Sequence, residues 1–146
     1  MNIKRLAIYI CYVIILFSIL TIGLKHQAAL YNAGKTNYEV IPYYQFCAIF
    51  PIIIGVCLSI PQHIKNFSQN GKWKIDWIKL LVIGLPFLIL SVIPILYLYE
   101  VIGFRIPFSA YIMGGNFGIG ASDTFTTIIG LISGYVVSTS IIKDNN

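Results

Sequence analysis

The sequence predicts an all-α integral membrane protein, a bundle of four transmembrane helices with the N- and C-termini cytoplasmic, and three observations carry that class. Of the 146 residues, 58% are hydrophobic and only 10% are charged, with a mean hydropathy of +0.82. Soluble domains carry about 25% charged residues. The apolar residues gather into four runs, each near the ~20 residues that cross a hydrocarbon core. The basic residues fall between these runs and divide unevenly. With the N-terminus inside, Lys4, Arg5, Lys65, Lys72, Lys74, Lys79 and Lys143 lie inside, and Lys25, Lys35 and Arg105 lie outside. That division follows the positive-inside bias and calls for an even number of spans. Residues 1–146 then form a single membrane domain.

The first span is expected at about residues 6–24, after a short basic start. Its 19 apolar residues exceed the core of a secretory signal, which holds about 7 to 15. Lys25 to Glu39 is a polar connector with a turn expected at Asn32-Ala33-Gly34-Lys35. The second span, 40–60, holds Pro51 and is followed by Pro61. A proline within a span leaves the carbonyl four residues earlier, here that of Cys47, without its helical donor, so a kink is expected.

Gln62 to Trp77 is the most hydrophilic segment, with Lys65, Lys72 and Lys74 set among Phe67, Trp73, Ile75 and Trp77. Trp sits well at headgroup depth and Lys is drawn to anionic lipid, so this cytoplasmic loop is expected to meet the anionic lipids of the bilayer. Nucleic acid is not an expected partner, because a connector this short offers no groove or stacking platform. Asn66-Phe67-Ser68 matches a glycosylation sequon in form but lies on the cytoplasmic side.

The third span, 78–102, carries Gly84, Pro86 and Pro94, and its extra length is absorbed by tilt or kinks. A Gly-rich outer loop is expected over 103–123, ending in Gly114-Gly115-Asn116-Phe117-Gly118-Ile119-Gly120. That run lacks the Lys-Ser or Lys-Thr of a phosphate loop and does not follow a strand. Were 103–123 to cross as a fifth span, Lys143 would lie on the opposite side from Lys72. The fourth span is expected at 124–142.

The candidate packing surface spans the outer rim and that fourth run. Ser122, Thr126, Gly130, Gly134 and Ser138 recur every fourth residue, which on a helix draws one nearly straight stripe. In lipid, small residues let backbones approach and so drive helix association. The kinked third span is the expected partner for this groove.

A second candidate is an outward polar pocket of Glu39, Glu100, Arg105 and Asp123, where carboxylates would hold a cation or Arg105 an anionic group. Charges at span ends more commonly snorkel to water. Cys11, Cys47 and Cys57 lie in apolar runs without a CxxC pair, and free Cys there behaves as a small hydrophobe. Cys11, Cys57 and His63 share a depth but lack metal-ligand spacing. No catalytic residue, metal or cofactor is expected. The function expected is that of a non-enzymatic accessory, immunity or regulatory membrane subunit, joined to a copy of itself or to a membrane partner. The alternative is a small transporter or channel subunit, which suffers from having no ionisable residue near the middle of any span. The Ile, Lys and Asn content suits a bacterial cytoplasmic membrane.

Overall fold

The computed structural model describes residues 3–67, 71–99 and 119–144. The chain divides into two compact units, Met1–Tyr43 and Tyr44–Asn146. Three helical stretches, Leu6–Asn37, Ile41–Phe67 and Trp77–Leu96, are long and apolar enough to cross a membrane.

The first unit is dominated by α1, a continuous helix over Ile3–Asn37. The connector expected at Lys25 to Glu39 is therefore helical for most of its length, and no turn forms at Asn32–Lys35. Ala28, Ala29, Leu30 and Ala33 are strong helix formers, and their summed propensity outweighs one glycine. The chain turns at Tyr38, which takes the left-handed conformation at φ 59° just past the helix. Gly34 has a reason of its own: a Cβ there would stand 3.2 Å from the carbonyl oxygen of Glu39 as the chain folds back.

The second unit begins within α2 (Ile41–Leu58), which runs through Pro51. A break at Ser59 separates it from α3 (Ile60–Phe67). Pro61 explains the break, since it has no N–H to offer the carbonyl of Cys57. The chain re-forms around Ser59, whose carbonyl accepts from Gln62 and His63 at 3.0 and 3.2 Å.

Strand β1 (Lys72–Ile75) leads into α4 (Trp77–Lys79), capped by an Asp76 carboxylate oxygen 3.1 Å from the Lys79 amide. A π-helical turn follows at Leu80–Gly84, in which the Leu85 amide donates to the Leu80 carbonyl, and α5 continues over Leu85–Leu98. Pro86 cannot donate to Val82 and its ring crowds that carbonyl, so a widened turn relieves the clash.

The last helix, α6, covers Ile119–Thr139. It starts earlier and ends sooner than the fourth span expected at 124–142, taking in the last residues assigned to the outer loop. α6 is not among the three helices long and apolar enough to cross a membrane. Residues expected at its inner end instead form β2 (Ile141–Asp144). β2 pairs antiparallel with β1 in the register Lys72↔Asp144, Trp73↔Lys143, Lys74↔Ile142 and Ile75↔Ile141. The two strands therefore close one end of the unit, so the chain between them leaves that end along α4 and α5 and returns to it along α6.

The interior of this unit inverts the usual order of sizes. Among the described residues the fully buried side chains include Ser59, Ser91, Ser133, Thr139 and Ser140, and Ala48, Ile54, Ile93, Ile129 and Val136 are buried too. Large apolar residues face outward here and in the first unit, Val82 of the π-helical turn at 67% and Phe17 of α1 at 70% exposure among them. The buried hydroxyls bond back to their own helices: Ser133 to the Gly130 carbonyl at 2.9 Å, Ser140 to Val136 at 2.7 Å and Ser91 to Leu88 at 2.8 Å. Local bonding of this kind lets Ser and Thr be buried without a partner on another helix.

Candidate functional site at the α2–α6 seam

Helix α6 carries the predicted stripe, and the stripe meets α2. A Cβ on Gly134 would fall onto the carbonyl oxygen of Ile52, and one on Gly130 would come within 2.8 Å of the Pro51 Cβ. The approach is mutual, because a Cβ on Gly55 would lie against the carbonyl of Leu131 and 3.1 Å from the Gly134 Cα. At this crossing the two backbones touch with no side chain between them. The third span, expected as partner, takes another face: Gly84 stands beside Val136 and Val137, with room for a methyl group at 3.4 Å. Geometry explains the choice, since bulky valines occupy the face of α6 toward α5 while only the glycines permit backbone contact.

The contacts rise together along both helices, from Pro51 with Gly130, through Gly55 with Gly134, to Ser59 with Ser138. α2 and α6 consequently run parallel. Cys47, Pro51, Gly55, Ser59 and His63 also recur every fourth residue. That second period was present in the sequence, and it marks the surface complementary to the stripe.

At the end nearest the β ladder the seam becomes polar. The Ser138 hydroxyl lies 2.5 Å from that of Ser59 and 2.7 Å from His63 Nε2, and Ser59 lies 2.7 Å from the carbonyl of Val56. Each hydroxyl has one proton to give. If Ser59 donates to Val56, Ser138 donates to Ser59 and His63 donates through Nε2. If Ser59 donates to Ser138, then Ser138 donates to His63 instead. Both arrangements satisfy the hydroxyls, and they interchange without moving a heavy atom. Among the described residues no buried side-chain nitrogen or oxygen lacks a hydrogen-bond partner.

A serine beside a histidine has the spacing of a nucleophile and its base. Here Ser138 lies inside α6, where backbone N–H groups are committed to helical bonds and none is aimed at a developing oxyanion. The seam is built as a joint. Lys79 adds to it, with Nζ 2.7 Å from Thr139 Oγ1, and the Asp76 amide donates to the Ser140 carbonyl at 2.8 Å.

The other expected residues are placed as follows. Thr126 is buried at 8% exposure, with its hydroxyl 3.1 Å from the Asp123 carbonyl. Ser122 belongs to the first turns of α6, and its side chain lies outside the described residues. Of the outward pocket, Glu39 is exposed in the first unit and Asp123 is half-buried in the second, while Glu100 and Arg105 lie outside the described residues. Among the described residues no group of three or more His, Cys, Asp and Glu is placed to hold a metal ion.

No family model matches this chain, and comparisons with curated proteins and with solved structures find no similar protein.

Proposed function

We propose that this chain is a multi-pass protein of the bacterial cytoplasmic membrane, with four spans and both termini cytoplasmic, serving as a non-enzymatic accessory, immunity or regulatory subunit. The observation that carries the reading is the inversion of sizes: glycine and serine inside, phenylalanine, isoleucine and valine outside. In water such a surface would associate without limit, whereas in lipid it is the ordinary surface of a helix bundle. The β ladder supports an even number of crossings, because it brings the loop after the second span and the end of the chain to one face.

Gly130 and Gly134 of the stripe face α2 of the same chain, so recognition of a partner falls to the outward faces of the helices. α1 is the longest helix and is apolar and exposed on opposite sides, with Ile8, Ile15 and Ile22 on one and Val13 and Phe17 on the other. Its partner is a helix of a second membrane protein or of another copy. Mild-detergent purification after in-membrane cross-linking tests this reading. A discrete cross-linked species with defined stoichiometry is expected. A chain that stays monomeric, and that raises ion flux in proteoliposomes above empty vesicles, would replace this reading with that of a transporter or channel subunit.

A further inference from the structure

We propose that α3 and the β1–β2 ribbon form a binding platform for anionic phospholipid headgroups, lying flat at the cytoplasmic surface of the bilayer; this rests on the membrane reading above. The ribbon is amphipathic by construction. Directly paired residues share a face and successive residues alternate. Trp73, Ile75, Ile141 and Lys143 therefore occupy one face, and Lys72, Lys74, Ile142 and Asp144 the other. Trp73, Ile75 and Ile141 are each more than two-fifths exposed, so among the described residues that face is open in part.

Helix α3 continues the surface. Ile60, Ile64 and Phe67 fall on one side of it and are exposed at 40, 52 and 67%, while Gln62, Lys65 and Asn66 fall on the other. Phe67 joins helix to ribbon by an edge-on contact with Trp73, ring centroids 5.1 Å apart. Lys143 completes the corner, with Nζ 5.2 Å from the Trp73 ring, 5.9 Å from that of Phe67 and 3.4 Å from the Phe67 carbonyl.

Two physical features select the occupant. The first is depth: an aromatic corner flanked by isoleucines, with lysines on the opposite face, matches the boundary between acyl chains and headgroups. The second is charge. Between Ile60 and Ile75 and along β2 stand Lys65, Lys72, Lys74 and Lys143, and the one acid of those stretches is Asp144. Phosphatidylglycerol-type headgroups present net negative charge at the level of this basic cluster, which a zwitterionic surface lacks. Free phosphate would satisfy the lysines but not the apolar face, so the lipid is the ligand.

The platform is tested with the full-length chain carrying Trp77→Phe, which leaves Trp73 as the only tryptophan. The chain is reconstituted in vesicles of phosphatidylglycerol and phosphatidylcholine containing lipids brominated near the headgroup. Trp73 emission should fall at least twofold relative to unbrominated vesicles, and inorganic phosphate should not reverse it. Lys65→Gln, Lys72→Gln and Lys74→Gln together, or vesicles of phosphatidylcholine alone, should halve that quenching. Resistance to alkaline extraction, measured in the same samples, reports separately on membrane insertion. An inserted chain whose Trp73 is quenched by aqueous iodide and not by brominated lipid would overturn the platform. Equal quenching in anionic and zwitterionic vesicles would overturn its preference for anionic lipid. A chain removed by alkaline extraction would overturn the membrane reading instead.

Discussion

At the scale of the residue, the turn after α1 shows how a single position bears strain. Tyr38 adopts a left-handed conformation that costs a residue with a Cβ about 1–2 kcal/mol. Glycine removes that cost but loses about 0.5–1 kcal/mol more backbone freedom on folding. Tyr38→Gly is therefore expected to raise stability by about 0.5–1 kcal/mol, measured by thermal unfolding of the full chain in detergent. An unchanged or lower melting temperature would show that the Tyr38 ring contributes more than its backbone costs. This turn was not legible in the sequence, where Asn32-Ala33-Gly34-Lys35 carried the stronger turn signature. Gly34 is present to admit the returning backbone rather than to end the helix, and nothing local to a sequence distinguishes those uses.

The joint between elements depends on glycines of two different kinds. Gly55 and Gly134 stand where added methyl groups would meet backbone atoms of the facing helix, and backbone cannot rotate aside as a side chain can. Gly134→Ala and Gly55→Ala should each cost about 1–3 kcal/mol, the usual penalty of overpacking. Gly84→Ala should be tolerated within about 1 kcal/mol, because its nearest neighbours are side-chain methyls at 3.4 Å and alanine is the better helix former. Unfolding in detergent by circular dichroism checks the contrast, and equal losses at all three positions would refute the assigned seam.

The stripe itself was legible from its four-residue period. Its partner was not, because the matching period through Pro51, Gly55 and Ser59 in the second span holds one glycine and a proline, a weaker sign of close packing than an unbroken run of small residues. The ribbon also escaped, since two four-residue strands far apart in sequence leave no local sign of their pairing. Lys-Trp-Lys-Ile alternates as a strand does, but an alternating tetrapeptide is equally a loop at a membrane surface.

For the whole molecule, the central claim is a bundle whose α2 and α6 run parallel and whose ladder gathers the central loop and the chain's end on the cytoplasmic face. Composition and the placement of basic residues were sufficient to expect the central loop and the end of the last span on one side, but neither the α2–α6 pairing nor the ladder. The ladder joins those two segments, and the contacts along the seam set α2 and α6 parallel. The most direct test is accessibility in intact cells of single cysteines introduced into a chain in which Cys11, Cys47 and Cys57 are replaced by alanine. With Lys72→Cys or Lys143→Cys, a membrane-impermeant maleimide should label the protein only after permeabilisation, while Tyr38→Cys should be labelled from outside. Labelling of either Lys72→Cys or Lys143→Cys in intact cells, with the other protected, would contradict the arrangement.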